Sequence, residues 1–242
     1  MLKFVVMAST ALLATALYKN EVLPGPGVLR AEIAQEPVQQ PLQVPPFKTS
    51  VGGVDYTIEP SHSYDIHGLV VSKHNADTWW DWVHRASNDH LNVTDVCVVW
   101  GHNATSGAYV PMAFSSGQWT CNWQTASLDA FNAFDSSQIS NNHVLTDNPA
   151  LAKKLRSLRI GDQIRISGQL AAYRHQSGMD FFRGTSTVRT DTGNGACETI
   201  FVSALDILQP ANALWRYLAW AAGAVLALCA ALGLVLPHRA RN

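Results

Sequence analysis

The chain has no excess of basic charge: 17 lysines and arginines face 18 aspartates and glutamates across 242 residues, a formal net charge of -1. Proteins held to nucleic acid by bulk charge carry a strong basic surplus, so no nucleic-acid partner is expected. The sequence also lacks HExxH, GxSxG, CxxC and a Walker loop, whose geometry would announce a zinc protease, a serine hydrolase, a thiol oxidoreductase or a nucleotidase. Gly193, Gly195 and Glu198 fall short of a dinucleotide fingerprint, because a strand pattern follows them where a helix is required. Cysteine is scarce as well. Of the four, Cys229 lies in the last apolar run, leaving Cys97, Cys121 and Cys197. An odd number allows at most one internal disulfide in an oxidising compartment. Three pairings are open, and Cys97–Cys121 is preferred because both lie in the β-rich first half.

Long apolar runs stand at both ends. Phe4 to Tyr18 is uncharged behind Lys3 and would span about 22 Å as a helix, short of a ~30 Å bilayer core. With Ala14 and Ala16 forming an A-x-A pattern, residues 1–19 read as a signal peptide or a short signal anchor. Tyr217 to Leu236 is longer: twenty residues without a charge, flanked by Trp215, Tyr217 and Trp220 on one side and by His238, Arg239 and Arg241 on the other. It reads as a transmembrane helix over 214–236 with a basic cytoplasmic tail at 237–242, which puts the preceding domain outside. Between them, residues 20–51 carry Pro24, Pro26, Pro37, Pro41, Pro45 and Pro46 and read as a Pro-rich, semi-rigid spacer.

Residues 52–209 alternate as strands do. Tyr64, Ile66, Gly68 and Val70 share one face, and Leu91 to Gly101 is β-branched. Tyr109–Phe114 with Gln118–Trp123 suggests a hairpin turning at Ser115–Gly117. Asn75 or Asp77 can cap a helix carrying Trp79, Trp80, Trp82 and Val83, whose rings would pack on the sheet. Asp147, Asn148 and Pro149 start a second helix, with Leu151, Leu155 and Leu158 as its apolar stripe. Lys153, Lys154, Arg156 and Arg159 lie off that stripe and could meet solvent or anionic lipid. The strand Gln163–Tyr173 carries Gly168 at its middle, a mark of a bend or bulge. Together these predict a mainly β domain: an OB-like β-barrel with one or two short helices, plus the C-terminal transmembrane helix. A β-sandwich would alternate similarly.

Candidate site residues gather late in the chain. The loop Arg183–Glu198 holds Arg183, Arg189, Asp191, Asn194 and Glu198 among glycines and hydroxyls, either a binding surface or a turn braced by arginine–carboxylate bonds. His62, His67, His74, His84, His90, His102 and His143 crowd one half of the domain. His62 and His67 would point to opposite faces of a strand and no pair has i, i+4 spacing, so the set reads as scattered surface histidines, and no metal or cofactor is expected. The run SQISNNHVLTDNPALAKKLRSLRIGDQIRISGQL, followed by STVRTDTGNGACETIFV, resembles a group of uncharacterised bacterial envelope proteins. That resemblance covers roughly the C-terminal half of the domain. It implies a bacterial envelope origin and no activity, and singles out Asn142, His143, Arg189, Asp191 and Glu198 for mutation together.

The resulting expectation is a non-catalytic binding or assembly module. It would be tethered to a bacterial inner membrane, face the periplasm or cell exterior, and have a protein or glycan partner. Arg183, Arg189, Asn142 and Asn194 are its candidate binding residues. The alternatives are a periplasmic hydrolase, metal-dependent or using Asp191, Glu198 and His143 as its chemical groups, and a tethered cofactor chaperone.

Overall fold

The computed structural model describes residues 2–191 and 197–235. The chain forms two compact units, one made of its two ends and one spanning Leu23–Pro210. In the first, helices α1 (Leu2–Asn20) and α6 (Ala213–Val235) pack against each other. Asn212 donates to the Val22 carbonyl at 2.8 Å, fastening the start of α6 beside the end of α1, so the helices run antiparallel. Both are long and apolar enough to cross a membrane. Counting its flanking residues, α1 has 19 residues, about 28 Å, longer than its uncharged run alone suggested. Phe4, Met7, Tyr217, Trp220 and Leu234 point outward, as a lipid environment permits. The basic tail at 237–242 and the last residue of the expected span lie outside the described residues.

The second unit is mostly sheet. Its strands are β1 (Val38–Pro41), β2 (Phe47–Val51), β3 (Val54–Asn75), β4 (Asn92–Val99), β5 (Ala113–Gly117), β6 (Thr120–Gln124), β7 (Ile139–Leu145), β8 (Gln163–His175), β9 (Phe181–Arg183) and β10 (Glu198–Gln209). Short helices α2 (Val83–Ala86), α3 (Gly101–Ser106), α4 (Leu128–Ala133) and α5 (Pro149–Arg156) lie between them. Five strands pair in a closed cycle. β3 pairs with β4, β4 with β7, β7 with β10, β10 with β8, and β8 back with β3. Every pair is antiparallel except β7–β10.

Strand periodicity fills the ring. Tyr64, Ile66, Val96, Val98, Val144, Ile164, Ile166, Ile200 and Val202 form one buried cluster from all five strands. α5 closes it with Ala152, Leu155 and Leu158, and the Asn148 side chain accepts from the amides of Ala150 and Leu151 at the helix start. The opposite face of β3 and β4, with Leu69, Val71, Cys97 and Val99, is covered by Tyr109, Met112 and Phe134 from the segment that joins β4 to β7. β4 is therefore buried along its whole length, which is why its sequence reads as a continuous apolar run. A Cβ on Gly168 would stand 2.4 Å from the Phe201 carbonyl oxygen, and β10 bulges between Val202 and Ala204 opposite it. Only glycine permits that approach.

Three expectations need correction. The Pro-rich stretch is no spacer: β1 and β2 pair with β3, Ile33 is buried, and the Gln163 side chain accepts from the Arg30 amide at 2.6 Å. Proline is compatible with this because β1 is an edge strand ending on Pro41. The helix foreseen over Trp79–Val83 is reduced to Val83–Ala86, and the tryptophans before it are exposed rather than packed. The hairpin turns two residues later than foreseen, at Gln118–Trp119.

Candidate functional site

The site begins with strand register. Asp95 on β4 lies opposite His74 on β3 and His143 on β7, and cross-strand partners share a face. This face carries Cys97 and Asn141; the alternate residues Val96, Asn142 and Glu198 belong to the other. The residues singled out near the C-terminal half are thus divided by the period of the strand. His143 is on the outer side of the ring, and Asn142 and Glu198 are on the inner side.

On the outer side, buried polar groups form a continuous chain. Asp81 accepts from His74 Nε2 at 2.6 Å and His84 Nδ1 at 2.7 Å. Trp119 Nε1 stands 2.7 Å from His84 Nε2, and the Trp119 amide donates to Asp95 at 2.7 Å. Asn92 donates to the other Asp95 oxygen at 2.9 Å, and His143 Nδ1 meets the same oxygen at 2.6 Å. Arg183 contacts His143 Nε2 and lies 4.5 Å above the Trp119 ring. Indole and guanidinium N–H groups only donate, so the Nε2 atoms of His84 and His143 accept, and both rings carry their proton on Nδ1.

The ligand atoms of the buried trio His74, Asp81 and His84 lie within 4.8 Å of one another, a spacing that could hold a metal ion. A metal on His84 Nδ1 would need that atom deprotonated and an acceptor facing Nε2, where the Trp119 donor stands. In this arrangement the three side chains are joined through Asp81 as a hydrogen-bonded brace. The histidines expected on the surface are divided accordingly: His74, His84 and His143 are buried and bonded, His62 and His67 are half-buried, and His90 and His102 are exposed.

Electrostatics follows from these bonds. Burial alone would raise the carboxyl of Asp95, but His143 and Asn92 outweigh it and hold it down to about 2. The same contest, with His74 and His84 as donors, leaves Asp81 below the usual carboxylate range. Trp119 is held with φ of 65°, a conformation rare for a bulky side chain. Its two bonds to Asp95 and His84 compensate that strain.

On the inner side, Arg189 pairs with Glu198 and lies 5.2 Å from the Tyr64 ring and 5.6 Å from that of Trp100. Burial dominates at Glu198 and pushes its carboxyl up to about 7 despite Arg189. Its Oε2, the Tyr64 hydroxyl and the Asn142 Oδ1 are buried without a hydrogen-bond partner among the described residues. Asn142 is fixed by its amide, which donates to the Val96 carbonyl at 3.1 Å.

Both arginines open into one cleft of about 1090 Å³. It is lined by Trp119 and Trp123 of the β5–β6 hairpin, by Ser140 and Asn141 of β7, and by Arg189 to Asp191. Two polar atoms here, Asn141 Oδ1 and Arg183 Nε, are buried without a hydrogen-bond partner among the described residues. Asp191 is exposed and accepts from Ser186 at 2.5 Å, whereas Glu198 is buried. Asn194, like Gly193 and Gly195, lies outside the described residues. Asp95 and Asp81 carry no signal in a motif or spacing of the sequence. A charged residue inside the apolar run of β4 was the available sign of the first.

The hairpin wall is covalently held. Cys121 on β6 is bonded to Cys97 on β4, while Cys197 is a free thiol raised by burial, with the Asn141 amide 3.7 Å away. Reduction of the disulfide is expected to speed amide hydrogen exchange across 113–124 at least ~10-fold and to leave β8 and β10 unchanged. Exchange followed by mass spectrometry would measure this, and equal rates in both redox states would show that the tether is dispensable. No known protein family, curated protein or solved structure matches the chain.

Proposed function

We propose that this chain is a membrane-tethered, extracytoplasmic binding module of the OB type, whose cleft takes an anionic saccharide, and that it is not an enzyme. The fold part of this reading rests on the cycle β3-β4-β7-β10-β8, with its one parallel pair and α5 between the third and fourth ring strands. Oligonucleotide- and oligosaccharide-binding barrels use the face of their second and third strands and the loop between the fourth and fifth. Here the corresponding parts are β4, β7 and the segment after β8, and the cleft is lined by β7 and that segment. The disulfide supports an oxidising compartment, and α6, with α1 beside it, supports the tether. The periplasmic side of a bacterial inner membrane fits both.

The observation that carries the ligand class is the pair of half-used arginines. Arg183 and Arg189 are each stacked on aromatic rings and each held by one partner, and both line the cleft with donors to spare. Trp119 and Trp123 add aromatic faces, and Ser136, Ser137 and Thr190 add hydroxyls, which suit a sugar better than a base. Catalysis is disfavoured because His143 has its free nitrogen occupied by Arg183 and Glu198 is turned to the inner side.

The test is a glycan array of uronate-bearing, phosphate-bearing and neutral saccharides probed with the detergent-purified full chain, followed by titration of retained members. Acidic members should bind, and Arg183→Ala should weaken them at least ~10-fold with an unchanged circular dichroism spectrum. Retention of neutral members alone, or equal affinity in the variant, would sink the reading.

A further inference from the structure

A second surface, none of whose residues lines the cleft, is formed by residues 76–82 between β3 and α2. Trp79 is 84% exposed, Trp82 65% and Trp80 44%. Such a concentration of bare indoles is rare on a surface that meets only water. These rings are not displayed by a slack loop. Asp81, fully buried, is fixed by His74 and His84; the Trp80 ring lies 4.5 Å from that of His74; and the Trp79 carbonyl accepts from Arg85 at 2.8 Å. The brace that looked like a metal site is what holds the tryptophans outward.

Basic residues share this surface. Arg156, at the end of α5, pairs with Asp77 of the same loop at 2.8 Å, and its carbonyl accepts from Lys73 at 2.7 Å. Lys153 and Arg159 are exposed beside it, as is Arg85 on the loop's other flank. α5, which carries Lys153 and Arg156 and ends three residues before Arg159, packs on the final stretch of β10, where Lys154 reaches the Leu205 carbonyl and Leu151 and Ile207 join the core. Three residues separate the end of β10 from α6, at most about 10 Å of chain. The chain from α1 is as short: the ring unit begins at Leu23, three residues after Asn20.

We propose that Trp79, Trp82 and the basic residues Lys153, Arg156 and Arg159, on α5 and just after it, form a docking face for the anionic surface of the bilayer that holds α6. Indoles favour the headgroup region, where the ring is half apolar and its N–H stays hydrated, and lysine and arginine favour anionic headgroups. This inference rests on α6 being a membrane anchor, and is independent of what the cleft binds.

The test uses the full chain reconstituted into vesicles of neutral phospholipid with and without phosphatidylglycerol, carrying bromine near the headgroup end of the acyl chains. Bromolipid should quench Trp79 and Trp82 in addition to the indoles of α6. The Trp79→Ser/Trp82→Ser variant should lose about half of the quenched amplitude in anionic vesicles. Lys153→Glu/Arg159→Glu, which touches no indole, should reproduce most of that loss. Equal quenching in wild type and both variants, with the protein resisting alkaline extraction, would overturn the docking face and leave the anchor standing. Extraction by alkali would overturn the anchor and the docking face with it. Protection of Trp79 and Trp82 by an added membrane-protein extract, without quenching by lipid, would assign the surface to a protein and also overturn the proposal.

Discussion

Replacing Asp95 by asparagine is expected to cost about 3–5 kcal/mol of stability, the range for removing one member of a buried charged network. Three donors converge on this carboxylate: His143 and Asn92 at one oxygen and the Trp119 amide at the other. An amide side chain has one acceptor and one donor end, so at least one N–H would face another N–H inside the protein. The damage should reach the cleft, because Trp119 loses the bond that compensates its positive φ and Arg183 rests on Trp119. Denaturant unfolding would measure the loss, with tryptophan emission reporting Trp119. Asp65→Asn is the control: its pair with Arg165 is exposed and should be worth less than about 1 kcal/mol. Equal effects of the two substitutions would refute the network. The pH dependence has a definite sign. Asp95 is depressed to about 2, so its contribution is complete above the ordinary aspartate value of 3.8 and is lost as pH falls through about 2.

The sequence was most legible where the argument is local. The helix start at Asn148 and Pro149, the stripe of Leu155 and Leu158, and the glycine inside β8 each depend on residues a few positions apart, and the structure has all three. The site is different because its relations run across strands. Testing histidines for spacing within one element could not find Asp95 with His143, 48 residues away, since their contact exists only through β4–β7 register. Tryptophan near a sheet was read as core because size favours burial, and at residues 79–82 the buried brace of Asp81 overrides that tendency. Prolines suggested a spacer in the same way, although an edge strand tolerates them. Local chemistry therefore fixed helix ends and turns, whereas non-local pairing decided which polar residues meet.

Glu198→Gln should stabilise the protein at pH 8 by about 3 kcal/mol and have no effect near pH 4. Burial raises the folded carboxyl from 4.5 to about 7, so its stabilising protonated form is present below 4.5 and stability is lost as pH rises through about 7. Glutamine keeps an acceptor for Arg189 and removes the ionisation that the buried position resists. Unfolding midpoints of wild type and variant should converge in acid and separate in alkali, and a difference constant with pH would show that Glu198 does not titrate in this range. The same proton governs the cleft. While Glu198 is ionised it holds Arg189 as a partner; once protonated it leaves the guanidinium free for an anionic ligand. Binding of the proposed acidic saccharide should therefore strengthen from pH 8 to pH 6 in the wild type and vary less in Glu198→Gln, where Arg189 has no competing carboxylate at either pH.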